Sequence, residues 1–555
     1  MTTDRIFPRR TLVLGLCLSL AVPALALGQT LPQLPVIPDI SCGTSSGKTT
    51  VVPSGGKLQA VIDAASPGDT ILLEAGATFV GPITLKVKPG NACITIRTSA
   101  PDSSLPPKGQ RISPSYANVM AKIVSPGLNL HAIKTEYGAH HYRLLGLEVT
   151  KQNEAAFVSQ LIELGDGLMT NLSQVPHHIE LDQMYIHGLP NSPLKFGVFL
   201  NSGATTVQNS YISECKELGF DALAIVGVNG PGPFRILNNY LEGAGENVMF
   251  GGADPRIPNL VPSDIEIVGN LFSKPLRWKI SDPSYAGKPW QVKNLFELKS
   301  ARRVLVDGNI FEYSWVHAQV GFAFMLTVRN STGGAPWSVI EDVTITNNII
   351  RHAANGIALS GLDSNYPSQP TKRVLIKNNL LLDIGNPQWG GGGRLFQIGN
   401  GPSDVTIEHN TGFQTAQILY AGGAIPGHNF VFRDNIAPHN AYGVFGDGAG
   451  VGLATLNKYF PEFKFMANVL ISNPFPKNYP SDNFNAAGIA AVGFTNVAAG
   501  DYSLTSSSPY SQKGTDNTDI GINWPQLQAA LQSANRHTAP RSQAGPTAPA
   551  LSIGP

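Results

Sequence analysis

The chain has 555 residues, of which 42% are hydrophobic and 14% charged, with 58 Gly and 42 Pro. This composition excludes a disordered chain and points to many turns and few long charged helices. The formal net charge is +1, and the first 26 residues hold three Arg and one Asp, so the remainder carries +1 − 2 = −1. That balance argues against general nucleic-acid binding, but it leaves room for an anionic sugar polymer held by a few local cations or a metal.

Residues 1–26 read as a secretory signal. Arg5, Arg9 and Arg10 precede an apolar run from Thr11 to Val22, and Ala24-Leu25-Ala26 has the small-x-small form of a cleavage site. The run is short for a membrane span, and no other segment is long and apolar enough to be one. The expected location is therefore extracellular or periplasmic. Cys42, Cys93 and Cys215 remain after the signal. A Cys42–Cys93 bridge would staple the N-terminal end in an oxidising compartment, whereas Cys215 reads as a small buried hydrophobe. No Cys/His spacing has the form of a zinc motif.

Residues 27–69 make an N-terminal segment and cap. From Lys57 to Ala65, one helical face carries Leu58, Val61 and Ile62, followed by Pro67-Gly-Asp and the strand Thr70-Ile-Leu-Leu73. A short amphipathic helix there would close the open end of a repeat core.

Residues 70–525 carry an internal repeat. A short phrase recurs as Asn239-Tyr-Leu, Asn270-Leu-Phe, Asn309-Ile-Phe, Asn348-Ile-Ile and Asn379-Leu-Leu, and ends at Asn435-Ile-Ala. Counted from Asn209, the spacings are 30, 31, 39, 39, 31, 31 and 25. Such scatter fits coils with loops of variable length. Each phrase follows period-2 alternation, as in Val343-Thr-Ile-Thr, which is strand chemistry with one buried face. A second strand phrase lies between, as in Leu295-Phe-Glu-Leu-Lys299 and Gly356-Ile-Ala-Leu-Ser360. Asn at one corner of every coil tolerates left-handed backbone geometry and can hydrogen-bond the Asn one coil away. The reading is an all-β, single-domain right-handed parallel β-helix of about 10–12 coils. Hairpin signals of a propeller or sandwich are absent from the sequence. Residues 526–555 read as a C-terminal helix and a Pro-, Ala- and Ser-rich tail.

The cap phrase Leu58 to Leu73, the N-x-[FIL] ladder and the ending Asp501-Tyr-Ser-Leu to Asp519-Ile-Gly resemble bacterial right-handed β-helix repeat proteins. Among these the chain resembles the chondroitinase B and alginate lyase family most. The resemblance covers nearly the whole chain after the signal at the level of fold. That fold hosts lyases, hydrolases and non-enzymatic adhesins alike, so activity has to be argued from the site.

Stacking the second strand phrase defines columns of outward side chains. One column reads Asn201, Val226, Gly251, Lys299, Arg329, Ser360 and Gly399. Two cations in adjacent coils, Lys299 and Arg329, repel unless something negative is bound. A second column reads Asp221, Glu246, Asn294 and Asn355, oxygen donors of the kind calcium takes, or turn-capping acids. The chemistry served would be β-elimination on a uronic acid. A base removes the proton beside the carboxylate, whose charge must be neutralised by calcium or arginine. The family resemblance implies a Lys before a Ser and the next Asn phrase, which Lys299-Ser300 before Asn309 matches. It implies an Arg one coil later, matched more loosely by Arg329. It places calcium-binding acids upstream of the Lys, where this chain has Asn294 and Glu297. The expected catalytic set is thus Lys299, Arg329 and Glu297, with Asp221, Glu246 and Asn294 as metal ligands. Asn201, Arg394, Trp290 and Trp315 are expected to bind substrate, the tryptophans by stacking on sugar rings. The expected partner is an extracellular polysaccharide acted on by a monomer. Two rivals remain: a non-catalytic glycan-binding or structural β-helix, and an inverting hydrolase built on Asp221, Glu246 or Glu297. His140-His141, His177-His178 and His187 cluster in early coils, either as stacked structural side chains or as a base or metal site.

Overall fold

The computed structural model describes residues 30–38, 43 and 46–532; the expected signal, Cys42 and the tail beyond lie outside the described residues. Cys93 is disulfide-bonded, and Cys215 is free and buried.

Three long parallel sheets wind around one apolar core. Sheet A has 14 strands from Thr49–Val52 to Lys464–Met466, sheet B has 14 from Thr78–Val80 to Phe484–Ala486, and sheet C has 12 from Ile83–Leu85 to Val444–Gly446. Each coil takes one strand from A, then B, then C, as in Ile340–Thr346, Ile349–Ala353 and Asn355–Ser360. The chain is thus a right-handed parallel β-helix, the hand that parallel crossovers adopt. Twelve coils carry all three strands, within the expected 10–12. The parallel strands stop at Ala486, earlier than the expected residue 525. The following chain turns back as an arm. Its Ile522, Leu527 and Leu531 pack on Ile310 and Leu380 of sheet B. Gly308 is required under this arm: its φ is +63°, and a Cβ there would meet the Ala530 carbonyl oxygen at 2.4 Å. The helix Leu58–Ala64 buries Leu58 and Ile62 in the core of the first coils.

The turn from A to B holds the constraint that sets the register. From Asn239 to Asn483, each ladder asparagine donates through Nδ2 to Oδ1 of the next at 2.9–3.1 Å. The same Oδ1 also accepts the backbone N–H of the asparagine before it. A second Nδ2 bond reaches a backbone carbonyl of sheet A, as from Asn309 to Ile267 at 2.8 Å. From Asn239 to Asn468, the left-handed residue is the one before each ladder Asn: Asn238, Gly269, Gly308, Asn347, Asn378, His409, Asp434 and Ala467. One asparagine therefore does not combine both roles as the sequence reading assumed. Asn209 holds the left-handed position (φ 51°), and Ser210 takes the ladder position beside it.

A proline-spaced segment, which the sequence reading passed over, lies along the start of sheet A. Pro32, Pro35 and Pro38 recur every third residue. The N–H groups of Thr30, Gln33 and Val36 donate to Asp404, Asp342 and Asp264 at 3.5, 3.0 and 2.9 Å. Those aspartates stand on alternate coils, with Arg303 and Arg373 between them, and all five residues have φ of 52–60°. The spacing match is physical. Three residues of polyproline II span about 9.3 Å, and two strand spacings span about 9.4–9.8 Å. Arg303 and Arg373 pair with Asp264 and Asp342 at 2.6–2.7 Å.

Two outcomes follow. Asn309→Ala leaves buried ladder partners unmatched and should cost about 2–4 kcal/mol in urea unfolding, on the scale of buried hydrogen-bond loss. Burial tends to raise the Asp264 and Asp342 carboxyls, yet arginine and backbone hydrogen bonds hold both below the ordinary 3.8. Their contribution is therefore present above that pH and lost as pH falls through the lowered values. Asp342→Ala at neutral pH should speed amide hydrogen exchange at Gln33 while the coils stay protected.

Candidate functional site

The site lies on sheet C, where the pairing corrects the predicted columns. Gly251, Lys299, Thr327, Ser360 and Gly399 share one register position, one step past the Phe250–Leu298–Leu326 pairing. Val226 instead pairs with Met249, which pairs in turn with Glu297, one column over. Arg329 lies beyond the strand end at Thr327, although its N–H donates to the Lys299 carbonyl at 2.8 Å. Its guanidinium turns to Asp363 at 2.8 Å, so it does not stack as an unpaired cation over Lys299. Lys299 itself lies 3.5 Å from Glu297.

Glu297 stands on the outward column of sheet C, between Met249 and Met325. It is nonetheless only 2% exposed. Its Oε2 accepts from Asn294 Nδ2 at 3.0 Å. Glu246 and Asn294 are fully buried, and both Glu246 oxygens and Asn294 Oδ1 have no hydrogen-bond partner. Burial, then the charges of Glu297 and Asp221, push the Glu246 carboxyl well above the usual carboxylate range. Asp221 departs from this oxygen set, because its carboxylate is held by Lys293 and by Gln291 Nε2. Its expected role as a ligand thus passes to Glu297. The cluster presents two carboxylates and an amide oxygen, bordered by Lys293 and Lys299. That set suits a hard cation with several oxygen ligands, and the unmatched buried oxygens are what such a cation would satisfy.

A buried lysine that the sequence reading missed lies beneath. Lys274 Nζ donates to the carbonyls of Gly243, Ala244 and Gly245 and to Asn247 Oδ1. Burial lowers its pKa to about 7, against the pull of Glu246. Its only sequence signal was a Lys four residues after Asn270, where the neighbouring phrases carry Gly243 and Tyr313.

Three expected substrate contacts are corrected. Trp290 and Trp315 are 2% and 3% exposed. They belong to an apolar cluster with Trp278, Val292, Ala354 and Trp389 that packs the inter-coil loops onto the body. Trp278 and Trp290 also box the buried Lys216 ammonium at 5.9 and 5.3 Å from their ring centres. Neither ring is free for a sugar. Asn201 is fully buried, and its Oδ1 accepts the N–H groups of Val228 and Asn229 at 2.9 and 2.8 Å. Arg394 remains partly exposed. It stacks on Tyr420 at 3.7 Å and donates to Gln397 at 2.5 Å, on the same outward face as Glu297. The loop 331–338 is tied to the body by Asp254, which accepts from Ser331, Thr332 and Gly334, and by Trp337 Nε1 donating to Leu260. A cavity of about 330 Å³ beside it is lined by Trp337, Arg302, Glu341 and Lys372.

No known protein family matches the sequence, and no curated protein does. Solved structures do. A mannuronic acid specific polysaccharide family 6 lyase from human gut microbiota has 11% identity over 79% of this chain and 91% of that one, with a TM-score of 0.45. The catalytic unit of a GH87 α-1,3-glucanase from Streptomyces thermodiastaticus has 14% identity over 81% and 70%, with a TM-score of 0.48. PfbA, a surface adhesin of Streptococcus pneumoniae, has 12% identity over 72% and 91%, with a TM-score of 0.42. A lyase, a hydrolase and an adhesin thus stand side by side, and likeness at this level assigns no activity.

If Trp315 is packing and not a sugar platform, Trp315→Ala should lower unfolding free energy by about 3–5 kcal/mol. Thermal denaturation without any glycan measures this. A purely substrate-stacking role would leave the midpoint unmoved.

Proposed function

We propose that the protein is a secreted polysaccharide lyase that cleaves a uronate-containing glycan by β-elimination at the outward face of sheet C. The observation that carries this reading is the buried Glu246–Glu297–Asn294 oxygen set beside Lys299. Burying the Glu246 carboxyl and the Asn294 amide oxygen without hydrogen-bond partners, next to a second buried carboxylate, is costly, so such a set is retained where it serves a ligand. Among the described residues, no helix is long and apolar enough to cross a membrane.

In this reading Glu246, Glu297 and Asn294 would hold calcium. Bound there, the cation would neutralise a uronate carboxylate and acidify the neighbouring C5 proton. Lys299 Nζ takes that proton. The electron pair forms the C4–C5 double bond, and the glycosidic oxygen leaves from C4 with a proton from solvent or an acid group. Arg394 beside Tyr420 offers a cation to a further uronate unit.

A second reading has its own observation. Lys299 and Arg329 both face carboxylates, Glu297 and Asp363, as they would in a non-catalytic glycan-binding β-helix.

Absorbance near 235 nm reads the unsaturated product. The expected outcome on a panel of anionic polysaccharides is a calcium-dependent rise, reduced at least a hundredfold in Lys299→Ala, the usual scale for loss of a general base. Glu246→Gln should remove the calcium dependence while the fold persists. No rise, with reducing-sugar release, would assign hydrolysis; neither signal, with retained glycan binding, would assign the non-catalytic role.

A further inference from the structure

Four histidines that the lyase reading does not use stand together near the N-terminal end of sheet A. His140 and His141 open the strand His140–Leu145, and His177 and His178 open the next, with His177 opposite His140. His141 and His178 have φ of 59° and 54°. The left-handed step breaks the strict alternation of a strand, which otherwise sends consecutive side chains to opposite faces. Consequently the rings form two stacked layers. His140 lies on His177 at 5.0 Å and 9°, and His141 on His178 at 4.6 Å and 11°. Within each coil the two Nδ1 atoms are 2.7 Å apart. The ligating nitrogens of His141, His177 and His178 all lie within 4.8 Å of one another. On the following coil the positions opposite are Gly203 and, one step on, Ala204, so no side chain continues the stack.

We propose that His141, His177 and His178 form a site for a zinc-class transition-metal cation, with His140 orienting His141 through their Nδ1 contact. Metal–imidazole bonds of about 2.0–2.1 Å place neighbouring ligand nitrogens about 2.9–3.4 Å apart. The present spacing, within 4.8 Å, would shorten to that range around a bound cation. Imidazole must be neutral to ligate. Burial first, and then mutual repulsion, lowers His141 and His177 to about 4, which frees their lone pairs at neutral pH. An all-nitrogen set selects zinc, nickel or copper over calcium and magnesium. Three protein ligands leave a coordination position for water or a further ligand. The site bridges two coils, so the bound cation would also tie them together.

The test uses tag-free mature protein, stripped with EDTA and titrated with zinc chloride by calorimetry. The expected result is one zinc per chain. His141→Asn and His178→Asn keep a residue that tolerates the left-handed backbone, and each should weaken binding at least tenfold. His428→Asn, at an exposed histidine elsewhere, and Glu246→Gln should leave it unchanged. Copper(II) in the same protein should show nitrogen hyperfine splitting from more than one imidazole. Circular dichroism and urea unfolding in EDTA confirm that the variants are folded. Absence of zinc binding in the folded wild-type protein, or wild-type affinity in both ligand variants, would overturn the proposal.

Discussion

The asparagine ladder is the interaction on which the rest of the structure depends. Its amides are buried, and each is satisfied by the coil above, the coil below and the backbone of sheet A. A buried amide tolerates little displacement, because any lost partner leaves a polar atom in the core. The ladder therefore holds successive coils in one register despite repeat lengths that vary with the loops. Register in turn decides which side chains of sheet C face outward, since a one-residue slip exchanges the two faces.

The candidate site follows from that register together with the loops laid over it. Glu297 occupies an outward position yet is shielded from solvent, and Glu246 sits at the turn into the same sheet with no hydrogen-bond partner. The tryptophan cluster fixes the neighbouring loops, and Lys216 enclosed by Trp278 and Trp290 anchors one of them. The result is a polar set inside a rigid, mostly dry surround. In such surroundings charges act strongly on one another, which is why Glu246 rises and Lys274 falls from their ordinary values.

Backbone bulges at the start of sheet A do a separate job. The left-handed residues Asp264, Asp342 and Asp404 turn carboxylates toward the proline-spaced strap, and Arg303 and Arg373 interleave to balance them. In the earlier coils the same position is filled by His141 and His178. One local backbone device thus serves an electrostatic clamp in late coils and a cluster of nitrogen donors in early ones.

Period-2 alternation, the recurrent Asn phrase and the apolar face from Leu58 to Ile62 determined the fold class, because each is a short-range consequence of strand, turn and helix chemistry. Lys299 and Glu297 were legible as a pair because they lie two residues apart, Glu297 on a strand and Lys299 just past its end. Long-range order decided the rest. Residues far apart in sequence meet only through register and loop packing, and no local pattern encodes either. Arg329 slipped past its strand end to Asp363, Asp221 was taken by Lys293, and Asn201 turned to cap the next coil. Trp290 and Trp315 read as loop aromatics, but tertiary packing closed over them, because large rings gain more from burial in a cluster than from exposure on a rim.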